Sequence, residues 1–166
     1  YGGTIALLRK EFERQGICYS FADFAHPAQL ASELRPKTRL LYFETPTNPT
    51  LTVYDIAALA KFAKANGLLT LIDNTFASPV NQRPLCLGAD VVIHSGTKYL
   101  GGHSDLSFGT VSATKEKAGA IRETAKLFGG NLNALDAYLI ERSLKTLSIR
   151  VERQNANAMS LARFLD

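Results

Sequence analysis

The stretch Leu68–His94, LLTLIDNTFASPVNQRPLCLGADVVIH, decides the fold of this chain. It contains two short apolar runs, LLTLID at Leu68–Asp73 and VVIH at Val91–His94. Continuous apolar runs of this length are typical of strands that are buried on both faces of a parallel sheet. A similar run, RLLYFE at Arg39–Glu44, comes earlier and ends in a cluster of Thr, Pro and Asn. We therefore predict that these runs are buried strands of one parallel sheet.

Helical periodicity surrounds the predicted strands. Asp55–Asn66 is the clearest helix, because its apolar residues fall on one face and Gly67 stands just past its end. Helical patterns also occur at Tyr1–Gly16 (after a short loop), Pro27–Leu34, Lys115–Phe128, Asn133–Leu147 and Ile149–Asp166. Strands divided by helices predict an α/β fold with a mostly parallel central sheet flanked by helices.

The composition is that of one ordinary globular domain, with 166 residues, 46% of them hydrophobic and 20% charged. The basic residues are spread along the chain, which argues against a nucleic-acid partner. No apolar run approaches the roughly 20 residues of a membrane-spanning helix, so we expect no membrane partner. Cys18 and Cys86 lie far apart and outside any metal-ligand spacing. We expect reduced cysteines, no metal site and a cytoplasmic location.

The side chains that could bind a ligand or take part in a reaction follow the predicted strands. Ligands bind beyond the carboxyl ends of the strands in open parallel sheets. The three strands are followed by ETPTNP at Glu44–Pro49, DNTF at Asp73–Phe76 and HSGTKYLGGHSD at His94–Asp105. These loops supply carboxylates, small hydroxyls, an amide and a lysine, and we expect them to converge on one edge of the sheet.

Lys98 is the candidate reactive group, since it follows Ser95, Gly96 and Thr97. Small hydroxyls and backbone amides around a glycine suit a phosphate. The lysine could be a phosphate counter-charge or an amine nucleophile that forms a Schiff base. Asp73 could hold a ring nitrogen protonated. A phosphate site, an amine and an aspartate meet the needs of pyridoxal phosphate, although a solvated lysine and a simple turn at Asp73 remain open.

The same loops carry a family resemblance. The matching stretches are YGGT at Tyr1–Thr4, ETPTNP, DNTFASP at Asp73–Pro79, QRPLCLGAD at Gln82–Asp90, HSGTKYLGGHSD, and LKTL with Arg150. In these motifs the sequence resembles the Cys/Met-metabolism family of pyridoxal-phosphate enzymes, which includes the cystathionine lyases, cystathionine gamma-synthase and methionine gamma-lyase. The resemblance extends along essentially the whole chain. It implies part of an aspartate-aminotransferase-like (fold type I) large domain.

The resemblance also implies catalytic residues. Lys98 would join the cofactor as a Schiff base and later shuttle protons. Tyr1 would stack on the cofactor ring and act as an acid or base toward the substrate. The remaining cofactor-binding residues are implied in the same way: Asp73 pairs with the pyridine nitrogen, Ser95 and Thr97 bind the phosphate, Asn48 lies near the phenolic oxygen, and Thr75 packs by the ring.

The function implied is a pyridoxal-phosphate-dependent lyase that acts on sulfur amino acids by beta- or gamma-elimination. A gamma-replacement transferase of the cystathionine gamma-synthase type is the alternative. Two other readings stay open: a cofactor-free Schiff-base enzyme of the aldolase kind, and an inactive fragment that acts as a dimerisation or scaffold module. A band of pyridoxal type in the absorption spectrum would separate these possibilities.

The resemblance also implies the domain boundaries of the chain and the assembly of its subunits. Residues 1–148 would form the cofactor-binding large domain without its N-terminal part, and residues 149–166 would begin a connector helix to a further, C-terminal domain. We therefore expect both ends to be cuts, and expect this fragment alone to be inactive. The family implies a homo-oligomer, a dimer of dimers with active sites at the subunit interfaces.

Overall fold

The centre of the molecule is a four-stranded sheet. The structure is a computed structural model, and it describes residues 1–26 and 29–166. The strands are β1 (Leu40–Glu44), β2 (Leu69–Asp73), β3 (Val91–Ser95) and β4 (Gly109–Ala113), in the spatial order β1-β2-β3-β4. The first three are parallel, with Glu44 opposite Asp73 and Asp73 opposite Ile93. The predicted mostly parallel α/β sheet is confirmed.

Strand β4 was not predicted from the sequence. It runs antiparallel to β3, and Gly109 lies opposite Ser95. Its sequence, GTVSA, contains one large apolar residue, Val111, whose side chain is 43% exposed. An edge strand that is half-covered lacks the apolar run that marks a buried strand. It forms because the free edge of β3 offers hydrogen-bonding partners.

The helices lie before, between and after the strands. They are α1 (Gly2–Leu7), α2 (Ile56–Ala65), α3 (Ser78–Asn81), α4 (Lys115–Leu127), α5 (Ala134–Leu144) and α6 (Leu147–Leu165). A π-helical segment, Leu8–Phe12, and a 3-10 turn, Glu13–Gln15, continue α1, and further 3-10 turns occupy Gln29–Glu33 and Pro84–Leu87.

Most predicted helices are present with small changes at their ends. Helix α2 has the expected signals: Asp55 accepts a hydrogen bond from the Ala58 amide at 2.9 Å, and Gly67 has a φ of 67° just beyond the end. The first helix starts at Gly2, without the predicted loop before it. The helix predicted at Pro27–Leu34 is a 3-10 turn over Gln29–Glu33, and Pro27 itself lies outside the described residues.

One face of the sheet carries the main core. Side chains of β1, β2 and β3 pack there against α2, and the buried members of this cluster are Leu30, Leu41, Phe43, Ile56, Leu59, Ala63, Leu68, Ile72, Ala89 and Val92. Burying an aliphatic or aromatic side chain of this size stabilises the fold by about 1.5–3 kcal/mol. Alternate residues of a strand point to opposite faces. Asp73 and Ser95 therefore lie on the other face, which is less covered.

Three further features of the structure concern the cysteines, the helices and the residues that could bind a metal ion. Cys18 and Cys86 are both free and exposed. Within residues 1–26 and 29–166, no helix combines the length and the apolar character that crossing a membrane requires. In the same ranges, no group of three or more His, Cys, Asp or Glu side chains is placed to hold a metal ion.

Candidate active site

The carboxyl ends of the three parallel strands form one edge of the sheet. Strands β1, β2 and β3 end at Glu44, Asp73 and Ser95, respectively. Since these strands are neighbours in the sheet, the loops that follow them leave from the same edge, as predicted. Cis peptide bonds precede Pro46 and Pro49 in the first of these loops.

The carboxylate of Asp73 is held through one of its two oxygens. The backbone amide of Thr75 donates to Asp73 Oδ1 at 3.0 Å, and the Thr75 hydroxyl donates a very short hydrogen bond to the same oxygen. That hydroxyl in turn accepts a hydrogen bond of 2.8 Å from the amide of Ser95. Across the described ranges, Asp73 Oδ2 receives neither a hydrogen bond nor an ion pair. One oxygen thus fixes the carboxylate, and the other is left for a ligand.

Lys98 lies in a tight turn directly after β3. Its amide donates to the carbonyl of Ser95 at 3.1 Å, and its own carbonyl accepts from the Gly102 amide at 2.7 Å. A side chain at Gly96 would overlap the ring of Phe108, so glycine is needed at that position. The Lys98 side chain is exposed, and no carboxylate of the described residues pairs with its amine. The turn therefore presents an amine without a counter-ion.

Two hydroxyls flank this lysine. Thr97 Oγ1 accepts a hydrogen bond from the Phe108 amide at 3.1 Å, and the Phe108 carbonyl lies 3.5 Å from the same hydroxyl. The bond from the Phe108 amide anchors the hydroxyl, and the bond that the hydroxyl donates to the Phe108 carbonyl is long, so a better acceptor could replace that carbonyl. Ser95 faces the same less-covered side of the sheet as Asp73. Both hydroxyls can donate to an anion.

Within residues 1–26 and 29–166, neither Tyr1 nor Asn48 forms a hydrogen bond to Asp73, Ser95, Thr97 or Lys98. The backbone nitrogen of Tyr1 lies 3.0 Å from Glu44 Oε2, so Tyr1 is next to the carboxyl end of β1, and its side chain is exposed. Asn48 is exposed in a loop whose hydroxyls bond to one another, with Thr47 Oγ1 2.7 Å from Thr50 Oγ1. The structure thus joins Asp73 and Ser95 through hydrogen bonds, and it places Asn48 outside that network.

A buried polar network behind the edge was missed by the sequence analysis. Asn74 is fully buried and His94 is 8% exposed. Asn74 Nδ2 lies 3.1 Å from His94 Nε2 and donates to the Gln82 carbonyl at 3.0 Å. Gln82 Nε2 donates to Asn74 Oδ1 at 2.7 Å and to the Thr45 carbonyl at 2.9 Å. The network ties the turn after β2 to both neighbouring strands.

The hydrogen bonds of this network define the state of His94. The Thr45 carbonyl only accepts, so the Gln82 atom that faces it is the amide nitrogen. The Asn74 atom that receives a bond from this nitrogen is therefore Oδ1, which turns Asn74 Nδ2 toward the imidazole. His94 Nε2 must accept, and its proton resides on Nδ1. Burial lowers the pKa of His94, and the charge of Asp73 offsets only part of this.

A signal for this network does exist in the sequence. Thr70, Ile72 and Asn74 alternate on the core face of β2 and its extension, and all three are buried. A polar residue in such a position needs hydrogen-bond partners. His94 is a strand-end histidine, and its contact with Asn74 supplies the hydrogen-bond partner that its buried ring requires.

The donor set fits a specific kind of ligand. A carboxylate with an unbound oxygen suits a protonated ring nitrogen, hydroxyls beside a glycine turn suit a phosphate, and an unpaired amine suits an aldehyde. A lysine turn and an aspartate at the carboxyl edge of an α/β sheet are the arrangement of pyridoxal-phosphate-dependent enzymes. The residues present therefore fit this cofactor.

Comparisons with known proteins identify one family within the class of pyridoxal-phosphate-dependent enzymes. The model of the Cys/Met metabolism PLP-dependent enzyme family matches residues 1–166, and the chain belongs to that family. Its cofactor is pyridoxal 5'-phosphate. The predicted fold type I architecture is confirmed by a crystal structure of cystathionine gamma-lyase from Lactobacillus plantarum complexed with L-serine, with a TM-score of 0.96 and 40% sequence identity. This alignment covers 99% of the chain and 44% of that structure.

The names of the curated relatives describe several different activities. A cystathionine beta-lyase of Lactococcus lactis subsp. cremoris is 45% identical over the whole chain. A protein of Bacillus subtilis named cystathionine gamma-synthase/O-acetylhomoserine (thiol)-lyase is 44% identical, again over the whole chain. The chain spans 44% of the first relative's length and 45% of the second's.

Proposed function

We propose that the full-length protein is a pyridoxal-phosphate-dependent carbon-sulfur lyase that acts on cystathionine, cysteine or methionine derivatives by beta- or gamma-elimination. The observation that carries this proposal is the state of Asp73, whose Oδ1 is fixed by Thr75 and whose Oδ2 is free for a ring nitrogen. The names of the relatives supply the substrate class. The cofactor, when bound, supplies an electron sink for the negative charge that develops on the alpha carbon of the substrate.

Asp73 is the proposed partner of the ring nitrogen. A carboxylate beside that nitrogen stabilises its protonated form, because the two opposite charges attract at short range. The hydrogen bonds from Thr75 set the orientation of the carboxylate, and they leave Oδ2 as the acceptor for the ring. A neutral His94 supports this role, since it does not compete as a counter-ion for Asp73.

Lys98 is the proposed catalytic residue for covalent attachment of the cofactor and for proton transfer. Its amine is exposed at the edge of the sheet, where it can reach a carbonyl group. With the cofactor bound, the Lys98 amine would be placed to take a proton from the alpha carbon of the substrate and to return it to another atom. This needs an amine that is held close to that carbon by a rigid turn.

The remaining predicted residues are proposed to bind the cofactor. Ser95 and Thr97 would donate hydrogen bonds to the phosphate, and the Phe108 amide keeps the Thr97 hydroxyl in place. Thr75 packs beside the ring while it holds Asp73. Tyr1 stacks on the ring and exchanges a proton with the substrate. Asn48 lies near the phenolic oxygen.

A gamma-replacement transferase is the second candidate, and the Bacillus subtilis relative favours it through its printed name. The two reactions differ in what attacks after the leaving group departs. An acylated homoserine incubated with cysteine separates them: a transferase makes cystathionine, whereas a lyase releases a keto acid and ammonia.

We also propose the domain boundaries, the oligomeric state and the cellular location of the protein. Residues 1–148 belong to the large domain, and residues 149–166 begin the connector to a C-terminal domain; the break between α5 and α6 at Lys145–Thr146 lies close to this division. We propose a homo-oligomer made of dimers, in line with the family resemblance. We also propose a cytoplasmic location, which suits two exposed free cysteines.

Absorption spectroscopy of the full-length protein tests the assignment of Lys98. The purified protein should carry a visible band that borohydride abolishes while it attaches the cofactor covalently. Lys98→Ala should lose this covalent attachment. Lys115→Ala is the control, because Lys115 is exposed and follows the end of β4, and this variant should retain the attachment. Covalent trapping that persists in Lys98→Ala would refute the assignment.

A further inference from the structure

Arg150 on helix α6 binds the turn that carries Lys98. Its Nη1 donates to the carbonyl of Tyr99 at 2.8 Å, and its Nη2 donates to the carbonyl of Leu100 at 3.3 Å. The same Nη2 donates to the Ser143 carbonyl at 2.9 Å, and Nε donates to Thr146 Oγ1 at 3.1 Å. The guanidinium thus links the two residues after Lys98 to the junction of α5 and α6.

The turn is shaped to receive this guanidinium. Gly102 has a φ of 76°, and a Cβ at this position would overlap Nη1 of Arg150. No carboxylate of the described residues pairs with Arg150; backbone carbonyls alone surround its charge, apart from one hydroxyl. Arginine keeps its charge at every physiological pH and presents its donors in a fixed plane. The geometry of the turn is therefore imposed by a rigid group.

Apolar packing reinforces the contact. Leu147 and Val151, on either side of Arg150 along α6, are buried in a small cluster with Leu100. His103 Nδ1 lies 2.7 Å from the Gly101 carbonyl and 3.3 Å from Ser143 Oγ, which adds a second link between turn and helix. The start of α6 and the Lys98 turn consequently form one packed unit.

We propose that Arg150 is a positioning residue for Lys98 and that it couples helix α6 to the reactive amine. The inference rests on the proposed function of Lys98. By holding the carbonyls of Tyr99 and Leu100, Arg150 fixes the backbone from which the lysine side chain extends. A misplacement of about 1 Å at a reacting group can cost about 100-fold in rate, so a loosened turn should reduce turnover more than substrate binding.

The chain offers a matched control. Arg153 lies one helical turn further along α6 and is exposed, and its side chain makes no hydrogen bond or ion pair with any residue that the structure describes. Arg150→Met and Arg153→Met remove the same charge from the same helix. Arg150→Lys keeps the charge but loses the planar fork, and Gly102→Ala displaces the guanidinium without changing it.

These variants of the full-length holoenzyme test the proposal. Arg150→Met should lower kcat by about 100-fold with a much smaller change in KM, and should shift the pH midpoint of the visible band. Arg150→Lys should fall between it and the native protein, Gly102→Ala should shift the band in the same direction as Arg150→Met, and Arg153→Met should match the native protein. A native kcat and band in Arg150→Met, or equal losses in Arg150→Met and Arg153→Met, would overturn the proposal.

Hydrogen exchange provides a readout that does not depend on the cofactor. The amides of Gly101 and Gly102 donate within the turn at 2.7 Å each, to the carbonyls of Gly96 and Lys98, respectively. In the cofactor-free protein, Arg150→Met or Arg150→Lys should speed their exchange, and Arg153→Met should not. Unchanged exchange in both Arg150 variants would overturn the proposal even if one of them folds poorly. Failure of the native protein to bind pyridoxal phosphate would instead refute the proposed function.

Discussion

The side-chain amide of Asn74 donates a hydrogen bond to His94 Nε2, 3.1 Å away, in the buried layer one residue along the chain from Asp73. This contact assigns the imidazole proton to Nδ1 and leaves His94 without charge. Protonation of Nε2 would set two donors against each other in a buried site, where an unsatisfied polar group is costly.

The first prediction concerns this tautomer. We expect nitrogen NMR of the histidine rings to show His94 as the neutral Nδ1–H form across the neutral pH range, because burial lowers its pKa. A charged imidazole, or the Nε2–H tautomer, at neutral pH would contradict the assignment.

The second prediction is the effect of His94 on stability. Its pKa in the folded state is below that in the unfolded state, so the unfolded chain binds a proton first as the pH falls. The free energy of unfolding should therefore decrease below about pH 6.5, the ordinary histidine pKa, and the loss should end below the pKa of the folded state.

Denaturant unfolding between pH 8 and pH 5 measures this effect. His94→Gln removes the titrating group, so its free energy of unfolding should vary less with pH than that of the native protein, even if it is lower throughout. The idea is wrong if His94→Gln and the native protein show the same slope.

The third prediction concerns the hydroxyl of Thr75. Thr75→Val removes the group that donates to Asp73 Oδ1 and accepts from the Ser95 amide. A hydrogen bond to a charged group contributes about 1.5–3 kcal/mol, which corresponds to about a 10- to 100-fold weaker affinity for pyridoxal phosphate. Thr75→Ser keeps the hydroxyl and should bind nearly as the native protein does. Equal affinities of the Val and Ser variants, measured by cofactor titration, would exclude the hydroxyl from this role.

The fourth prediction concerns a carboxylate at the opposite end of β2. Asp90 Oδ2 accepts from the amide and the hydroxyl of Thr70 at 3.0 and 3.1 Å, and Oδ1 lies 3.3 Å from the amine of Lys117. Burial tends to raise the pKa of Asp90, but the hydrogen bonds from Thr70, together with Lys117, outweigh it and lower the pKa. Its contribution to stability is therefore present above the unfolded pKa of about 3.9 and is lost as the pH falls further.

Substitution of Asp90 tests this assignment. Asp90→Ala leaves the buried Thr70 amide without its partner and should lower the free energy of unfolding by about 1–3 kcal/mol near neutral pH. Lys117→Ala should cost less, because its ion pair with Asp90 is partly exposed. A larger loss for Lys117→Ala than for Asp90→Ala would show that the ion pair, and not the backbone hydrogen bond, stabilises this end of the sheet.

Much of the framework could be predicted from local patterns. The apolar runs that end at Glu44, Asp73 and His94 correspond to β1, β2 and β3, and the loops after them share one edge. Strand β4 could not be predicted in this way, because its residues are small or polar and it forms only when β3 is present as a partner. Asn74 alternates with Thr70 and Ile72, but this alternation does not indicate that His94 and Gln82 are its partners.

The amino-acid sequence by itself determined the three parallel strands, most of the helices, and which reactive side chains follow each of those strands. These properties depend on residues close together in the chain, through the periodicity of burial. Only the tertiary structure decided how those side chains are held: Asn74 meets His94 across 20 positions, and Arg150 reaches Tyr99 across 51. Strand register and helix packing determine these partners, because they bring distant polar groups within hydrogen-bonding distance. The pattern of neighbouring residues in the sequence does not indicate which of these groups will meet.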